Sequence, residues 1–169
     1  MSLTRSLGGD RPEGVGAVAR ELGRLDAYSF FVVPGHEWNA DVAVIGTTGG
    51  FLIKVCDLTG VARIEGRRPT VGDEAVRGLR KLRAGAKRFS AKLGAASTLG
   101  QVLPIVCLTE AIAGPPVEAA GARFVKVADL ARDISARPGV QSHTRAQAAA
   151  RALGVQVAGD QRRHFTVRG

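Results

Sequence analysis

Residues 39–60 read NADVAVIGTTGGFLIKVCDLTG, and this stretch decides the fold. It contains two apolar runs, ADVAVIG at residues 40–46 and FLIKVCD at residues 51–57, with the length and β-branched content of strands. The intervening TTGG at residues 47–50 predicts a tight turn, because glycine readily supplies the positive φ that a hairpin needs. The stretch therefore predicts two strands joined as an antiparallel hairpin.

The segments on either side predict further helices and strands. Apolar residues recur with a helical period over residues 14–24, and aromatic and β-branched residues at 28–33 predict a strand before the hairpin. The elements predicted after the hairpin are a short strand within residues 60–66, a helix at 73–94, strands at 102–108 and 122–127, and helices at 129–136 and 144–153. This order predicts an α/β protein, a mixed β-sheet flanked by helices.

Composition narrows the class of protein. The chain has 169 residues, of which 45% are hydrophobic and 23% charged, which is typical of one globular domain and excludes collagenous, disordered and disulfide-rich classes. It contains no apolar run of about 18 residues, so no membrane-spanning helix and no membrane partner are predicted. Cys56 and Cys107 each lie in an apolar stretch and predict reduced core thiols in a cytoplasmic protein.

The predicted domain occupies residues 14–154. Residues 1–13 are rich in Gly, Ser and Arg and predict a flexible lead-in, without the apolar segment of a signal peptide or anchor. Residues 155–169 predict a basic C-terminal tail. The chain shows no internal repeat, so one domain with two short extensions is expected.

The helix predicted at residues 73–94 concentrates positive charge. Asp73 and Glu74 stand where a helix start favours carboxylates, and Gly94 stands where a terminating glycine belongs. Arg77, Lys81, Arg88 and Lys92 are predicted to lie opposite the apolar stripe, with Arg80, Arg83 and Lys87 on its flank. Seven bases and two acids give this segment a net +5, more than half of the total of +9.

Such a cluster has two interpretations. Lys and Arg on a surface helix often form a solvated face. A solubilising face, however, usually mixes both signs of charge, and no acid follows Glu74 in this helix. Clustered cations without acids favour an anionic partner, with the backbone of DNA or RNA first, because phosphate neutralisation needs little else.

Several segments together resemble the nuclease-related domain (NERD) family. The hairpin at residues 39–60 resembles the family core, with Asp41 before an apolar strand, a glycine turn and a second apolar strand. EGVGAVARELGRL resembles its first helix, VLPIVCLTEA a later core strand, GARFVKVADLARDI its last strand–helix unit and HTRAQAAARALG its closing helix. The resemblance implies the restriction-endonuclease-like fold over nearly the whole chain.

That superfamily cleaves DNA with an Asp on one strand and an (Asp/Glu)-x-Lys pair on the next, which together hold and assist Mg²⁺. Asp41 matches the first carboxylate, but Lys54 stands in the acid position and Cys56 in the lysine position. Asp57 comes one residue too late and is predicted to point to the opposite face of the strand. The resemblance therefore implies a degenerate motif, with no resident cofactor and Mg²⁺ only if nuclease activity remains.

Two of these residues have open roles. Asp41 is either a relic metal ligand or a structural carboxylate paired with Lys54 across the hairpin. Lys54 is either a phosphate contact or a half-buried lysine neutralised by Asp41. The leading hypothesis is a degenerate nuclease-like domain that binds nucleic acid non-specifically through its basic helix. The alternatives are a protein-interaction subunit of a larger complex and a weak metal-dependent nuclease.

Overall fold

The computed structural model describes residues 12–94 and 102–155. Its main sheet has six strands in the order β1-β2-β3-β7-β10-β9. These strands are β1 Phe30–Pro34, β2 Val42–Gly46, β3 Gly49–Cys56, β7 Leu103–Leu108, β9 Val117–Ala119 and β10 Ala122–Lys126. The first three form an antiparallel meander, β7 is parallel to both β3 and β10, and β9 closes the far edge antiparallel to β10.

Within the described residues, four α-helices cover this sheet: α1 Pro12–Leu22, α2 Leu79–Leu93, α3 Leu130–Ser135 and α4 His143–Ala152. The core cluster on one face joins α1 and α3 through Val18 and Leu130, and the cluster on the other face joins α2 and α4 through Phe89 and Ala149. The predicted α/β architecture, a mixed β-sheet flanked by helices, is confirmed. The attribution to the restriction-endonuclease-like superfamily stays a prediction.

The hairpin at the centre of the sequence forms as predicted. Gly46 pairs with Gly49 across a two-residue turn at Thr47 and Thr48, and Gly49 has φ +138°. Gly46 is needed for a different reason, since a Cβ there would lie 2.1 Å from the Phe30 ring. The turn needs one glycine for its backbone conformation, and the packing beside it needs the other.

A second, four-stranded sheet replaces the start of the predicted basic helix. It has the order β6-β5-β4-β8, with β4 Gly60–Arg63, β5 Thr70–Val71, β6 Glu74–Ala75 and β8 Ala111–Ile112. The prediction of a helix start at Asp73 was wrong: Asp73 lies in a turn and Glu74 in β6. Gly72 (φ +58°) and Gly78 (φ +80°) both adopt left-handed conformations that interrupt a right-handed helix.

The predicted ends of the chain lie mostly outside the described residues. Helix α1 begins at Pro12, two residues earlier than predicted. Residues 1–11 of the predicted lead-in and residues 156–169 of the predicted basic tail are outside the described ranges. Both extensions stay predictions.

Candidate functional site

Helix α2 carries six basic residues and no acidic residue in fifteen positions, and the basic side chains are exposed. They are Arg80, Lys81, Arg83, Lys87, Arg88 and Lys92. The seventh predicted member, Arg77, is also exposed but precedes the N-cap residue Gly78, so its assignment to the helix was wrong. The predicted cluster of positive charge is therefore present, and the observed helix lacks the two acids that the predicted helix contained.

One flank of α2 is covered by a 3-10 turn at His36–Trp38. The Lys92 Nζ lies 3.5 Å from the Glu37 carboxylate, and Arg88 donates a hydrogen bond of 3.2 Å to the Glu37 backbone oxygen. The Gly85 Cα approaches the Trp38 backbone so closely that a Cβ would lie 1.7 Å from the Trp38 carbonyl oxygen. This approach adds Gly85 to the buried side of the helix and places Arg88 and Lys92 beside the turn.

The outermost cations of α2 are therefore different from those predicted. With Gly85 among the buried positions, Arg80 and Lys87 lie opposite the centre of the buried stripe, at 100° per residue. Arg83 leans towards the β9–β10 turn, where it donates a hydrogen bond of 3.0 Å to the Ala120 carbonyl oxygen. The predicted arrangement was wrong because it counted only apolar side chains and could not include a glycine buried by its backbone.

Several cations near the start of α2 have no partner within the described ranges. Arg77, Arg80, Lys81 and Lys87 make no side-chain hydrogen bond or ion pair with any residue that the structure describes. Arg83, Arg88 and Lys92, by contrast, each have a hydrogen-bond or ion-pair partner. Unpartnered exposed cations retain their full capacity to bind an anion.

Sequence reasoning missed one member of this group. The Val76 N–H donates a hydrogen bond of 2.9 Å to the Pro69 carbonyl oxygen, which extends the Thr70–Ala75 pairing of β5 and β6 by one step. Exposed Arg68 directly precedes Pro69, and exposed Arg77 directly follows Val76. The sequence signal for this residue was the Arg-Arg-Pro run at residues 67–69. It could be assigned to the basic surface only once the β5–β6 hairpin was known. We call Arg68, Arg77, Arg80, Lys81 and Lys87 the basic face.

The two altered motif positions share a cavity. Lys54 and Cys56 lie on the α2 side of β3 and line a cavity of about 60 Å³ between this strand and the start of α2. Asp57 also lines this cavity, one residue beyond the end of β3 at Cys56. The prediction that its side chain points to the opposite face of the strand stays a prediction. The rest of the lining comes from residues 74–79 and from Val55, Leu58, Leu82 and Val106.

Asp41 has a structural role that differs from the predicted one. Its carboxylate accepts a hydrogen bond of 2.7 Å from the Val55 N–H, and its own N–H donates to the Ile53 carbonyl oxygen at 2.9 Å. Within the described ranges no ion pair joins Asp41 to Lys54, so the pairing expected across the hairpin was wrong. The carboxylate acts as a backbone acceptor where the regular β2–β3 ladder stops at Val42.

The residues at the motif positions do not fit Mg²⁺, which prefers oxygen ligands. The Lys54 ammonium would repel the ion. Burial raises the pKa of the Cys56 thiol, which therefore carries no charge at neutral pH. In the part of the chain that the structure describes, no three His, Cys, Asp or Glu side chains are grouped to hold a metal ion.

A second polar cluster contains residue types used in hydrolases. The Ser29 hydroxyl donates a hydrogen bond of 2.7 Å to Asp26, and its oxygen lies 3.3 Å from the His143 Nδ1. This order differs from that of a catalytic triad, in which the imidazole lies between the carboxylate and the hydroxyl. The Ser29 and Tyr28 hydrogen bonds lower the pKa of Asp26. The cluster joins the start of α4 to the loop before β1.

Comparison with protein-family models, curated proteins and solved structures finds no match. The resemblance to the NERD family therefore rests on the sequence segments alone. None of the helices within the described ranges is long and apolar enough to cross a membrane. The chemistry of this chain must be inferred from its basic face and its cavity.

Proposed function

We propose that this protein binds the phosphate backbone of DNA or RNA through its basic face and does not cleave it. One observation carries the proposal: four exposed cations around the start of α2 have no hydrogen bond or ion pair with any described residue. They follow one another along one surface, from Arg77 before the helix to Lys87 two turns into it. An anionic polymer can contact all of them at once.

The spacing along the helix suits a polymer better than a single small anion. Arg80 and Lys87 are seven residues apart, which corresponds to about 10 Å along the helix axis. A nucleic-acid strand advances by about 3.4 Å per nucleotide, so one strand presents several phosphates over that distance. Contacts to phosphate oxygens carry no base information, and the proposed binding is therefore non-specific in sequence.

We propose binding without cleavage because the residues at the metal-binding motif positions are altered. Metal-assisted hydrolysis needs carboxylates that hold the ion close to the scissile phosphate. Lys54 and Cys56 occupy two of the required positions, and the Asp41 carboxylate is committed to the Val55 N–H. A nucleic acid bound at α2 is therefore held without being cut.

The proposal is tested with two double charge reversals that change the net charge equally. Arg80→Glu with Lys87→Glu removes the outermost cations of the basic face. Arg20→Glu with Arg145→Glu alters exposed arginines on α1 and α4. Fluorescence anisotropy with a duplex DNA and a matched RNA should show affinity at least tenfold weaker for the first variant and near wild type for the second. Equal weakening by both variants would instead indicate a response to net charge alone.

A protein-interaction role is the second candidate, favoured by an apolar pair on the smaller sheet. Val61 and Ile112 are neighbours in the parallel β4–β8 pairing, and their exposed fractions are 53% and 70%. Adjacent exposed β-branched side chains are typical of a contact surface. A nuclease-resistant complex with one stoichiometric protein, lost in Val61→Ser with Ile112→Ser, would favour this role over nucleic-acid binding.

A further inference from the structure

The cavity between β3 and the start of α2 contains an unpartnered lysine. Lys54 is half-buried, lines the cavity and makes no hydrogen bond or ion pair with any residue of the described ranges. Its Cε lies 3.3 Å from the position that a Gly78 Cβ would occupy, so the side chain extends towards the residue that precedes α2. A glycine at this position leaves room for the lysine.

The charge around Lys54 is arranged to receive an anion. Arg77 lines the same cavity, and it also has no partner among the described residues. Gly78 supplies no side-chain cap, and the first helical hydrogen bond of α2 runs from the Leu82 N–H to the Gly78 carbonyl oxygen at 2.9 Å. The preceding N–H groups at this end therefore have no acceptor within the helix, and they add partial positive charge beside the two cations.

Two carboxylates also line this cavity, those of Asp57 and Glu74. Glu74 is exposed on β6 and forms no ion pair with any described residue. Asp57 takes part in an interaction of its own. Both carboxylates repel any anion, so an anion held in the cavity must contact Lys54 and Arg77 together.

The size and shape of the cavity limit the ligand. Its volume of about 60 Å³ corresponds to about four to six water-sized probes, which matches the few heavy atoms of one phosphoryl group. Leu82 and Val106 are 0% and 1% exposed, so they form a closed apolar floor. The exposed residues Glu74, Arg77 and Gly78 line its open side, and a phosphoryl group at the end of a molecule reaches the apolar floor without burying further atoms.

We propose that this cavity binds a phosphomonoester, with Lys54 and Arg77 as its charged contacts. This inference rests on the proposed function where the phosphate is the end of a nucleic-acid strand, because Arg77 belongs both to the cavity and to the basic face. The same chemistry is offered by a free nucleoside monophosphate. A phosphodiester in mid-strand suits the cavity less well, since it carries a single negative charge and both of its oxygen substituents continue into the chain.

The test compares the same oligonucleotide with a 5′-phosphate, with a 3′-phosphate and with hydroxyl ends, alongside a nucleoside monophosphate. The variants are Lys54→Met, which keeps the length of the side chain but removes its charge, and Glu74→Gln, which removes a repelling charge at the exposed rim. We expect one phosphorylated end to bind about tenfold more tightly than hydroxyl ends in the wild type. Lys54→Met should abolish that preference, and Glu74→Gln should increase it.

The outcomes separate this inference from the proposed function. A preference for a phosphorylated end that depends on Lys54 identifies a strand end as the ligand. Lys54-dependent binding of the nucleoside monophosphate without any end preference identifies the free nucleotide, and it supports the cavity even if the basic face binds no polymer. Hydroxyl-ended oligonucleotide binding that is lost only in the Arg80→Glu and Lys87→Glu variant reports on the proposed function alone. No Lys54-dependent binding of any phosphomonoester overturns the inference.

Discussion

The basic residues on α2 and those around α3 differ in whether they are paired with acidic side chains. Around α3, Arg132 pairs with Asp129 at 2.7 Å, and Arg123 of β10 makes two hydrogen bonds of 2.6 and 2.7 Å to Asp133. On α2, no acid lies within the helix, and its outermost cations have no described partner. The excess positive charge is therefore a local property of one surface. A chain that needed positive charge only for solubility would not require this separation.

The largest expected effect comes from breaking the packing that positions α2. In Gly85→Ala, the new Cβ would lie 1.7 Å from the Trp38 carbonyl oxygen, so the helix must move away from the 3-10 turn. We expect a loss of about 3 kcal/mol in the free energy of unfolding, measured in urea, together with weaker nucleic-acid binding.

Gly16→Ala is the matched control for this substitution. Gly16 is also helical, but a Cβ there meets only the end of the Arg20 side chain at 3.9 Å. We expect this variant to be more stable than wild type by up to about 1 kcal/mol, because alanine favours a helix over glycine. Destabilisation of both variants to the same extent would contradict the importance of the Gly85–Trp38 contact.

A smaller effect on stability is expected at α3, with no effect on binding. Arg123→Ala would leave the Asp133 carboxylate, whose side chain is 8% exposed, without its bidentate partner. We expect a loss of about 2–3 kcal/mol in urea unfolding and unchanged affinity for nucleic acid. Arg132→Ala serves as the control, since its side chain is 77% exposed and its ion pair contributes at most about 1 kcal/mol.

These two helices also show how far the sequence alone could reach. The hairpin of β2 and β3 was predicted correctly because its two apolar runs, their length and the turn glycine are all local signals. The start of α2 was placed six residues too early, since Asp73 and Glu74 satisfied the local preference for acids at a helix start. The helix in fact begins directly after Gly78, but the left-handed φ of this residue is known only from the folded backbone.

The candidate site was predictable in composition but not in arrangement. All seven predicted cations are exposed, as a run of Lys and Arg without acids indicates. The neutralisation of Lys92 by Glu37 joins residues 55 positions apart, and no local pattern contains it. Asp41 illustrates the same limit, because its carboxylate replaces a backbone acceptor at a point where the β2–β3 ladder ends.

The smallest expected effect sharpens the contrast within α2 itself. Glu37→Gln removes the carboxylate beside Lys92 but keeps the backbone oxygen that accepts the Arg88 hydrogen bond. We expect nucleic-acid affinity to increase by about two- to threefold, because an exposed ion pair is worth less than about 1 kcal/mol. Glu118→Gln, which alters an exposed acid beside Arg123, should leave the affinity unchanged. Unchanged affinity in both variants would limit the binding surface to the basic face.

The salt dependence of nucleic-acid binding tests the central claim most directly. Each phosphate neutralised on B-DNA contributes about −0.9 to the slope of log affinity against log salt concentration. We predict that Arg80→Glu with Lys87→Glu makes the slope shallower by about 2, while Arg20→Glu with Arg145→Glu leaves it at the wild-type value. A wild-type slope near zero, or the same slope in both variants, would contradict the assignment of the basic face as a nucleic-acid binding surface.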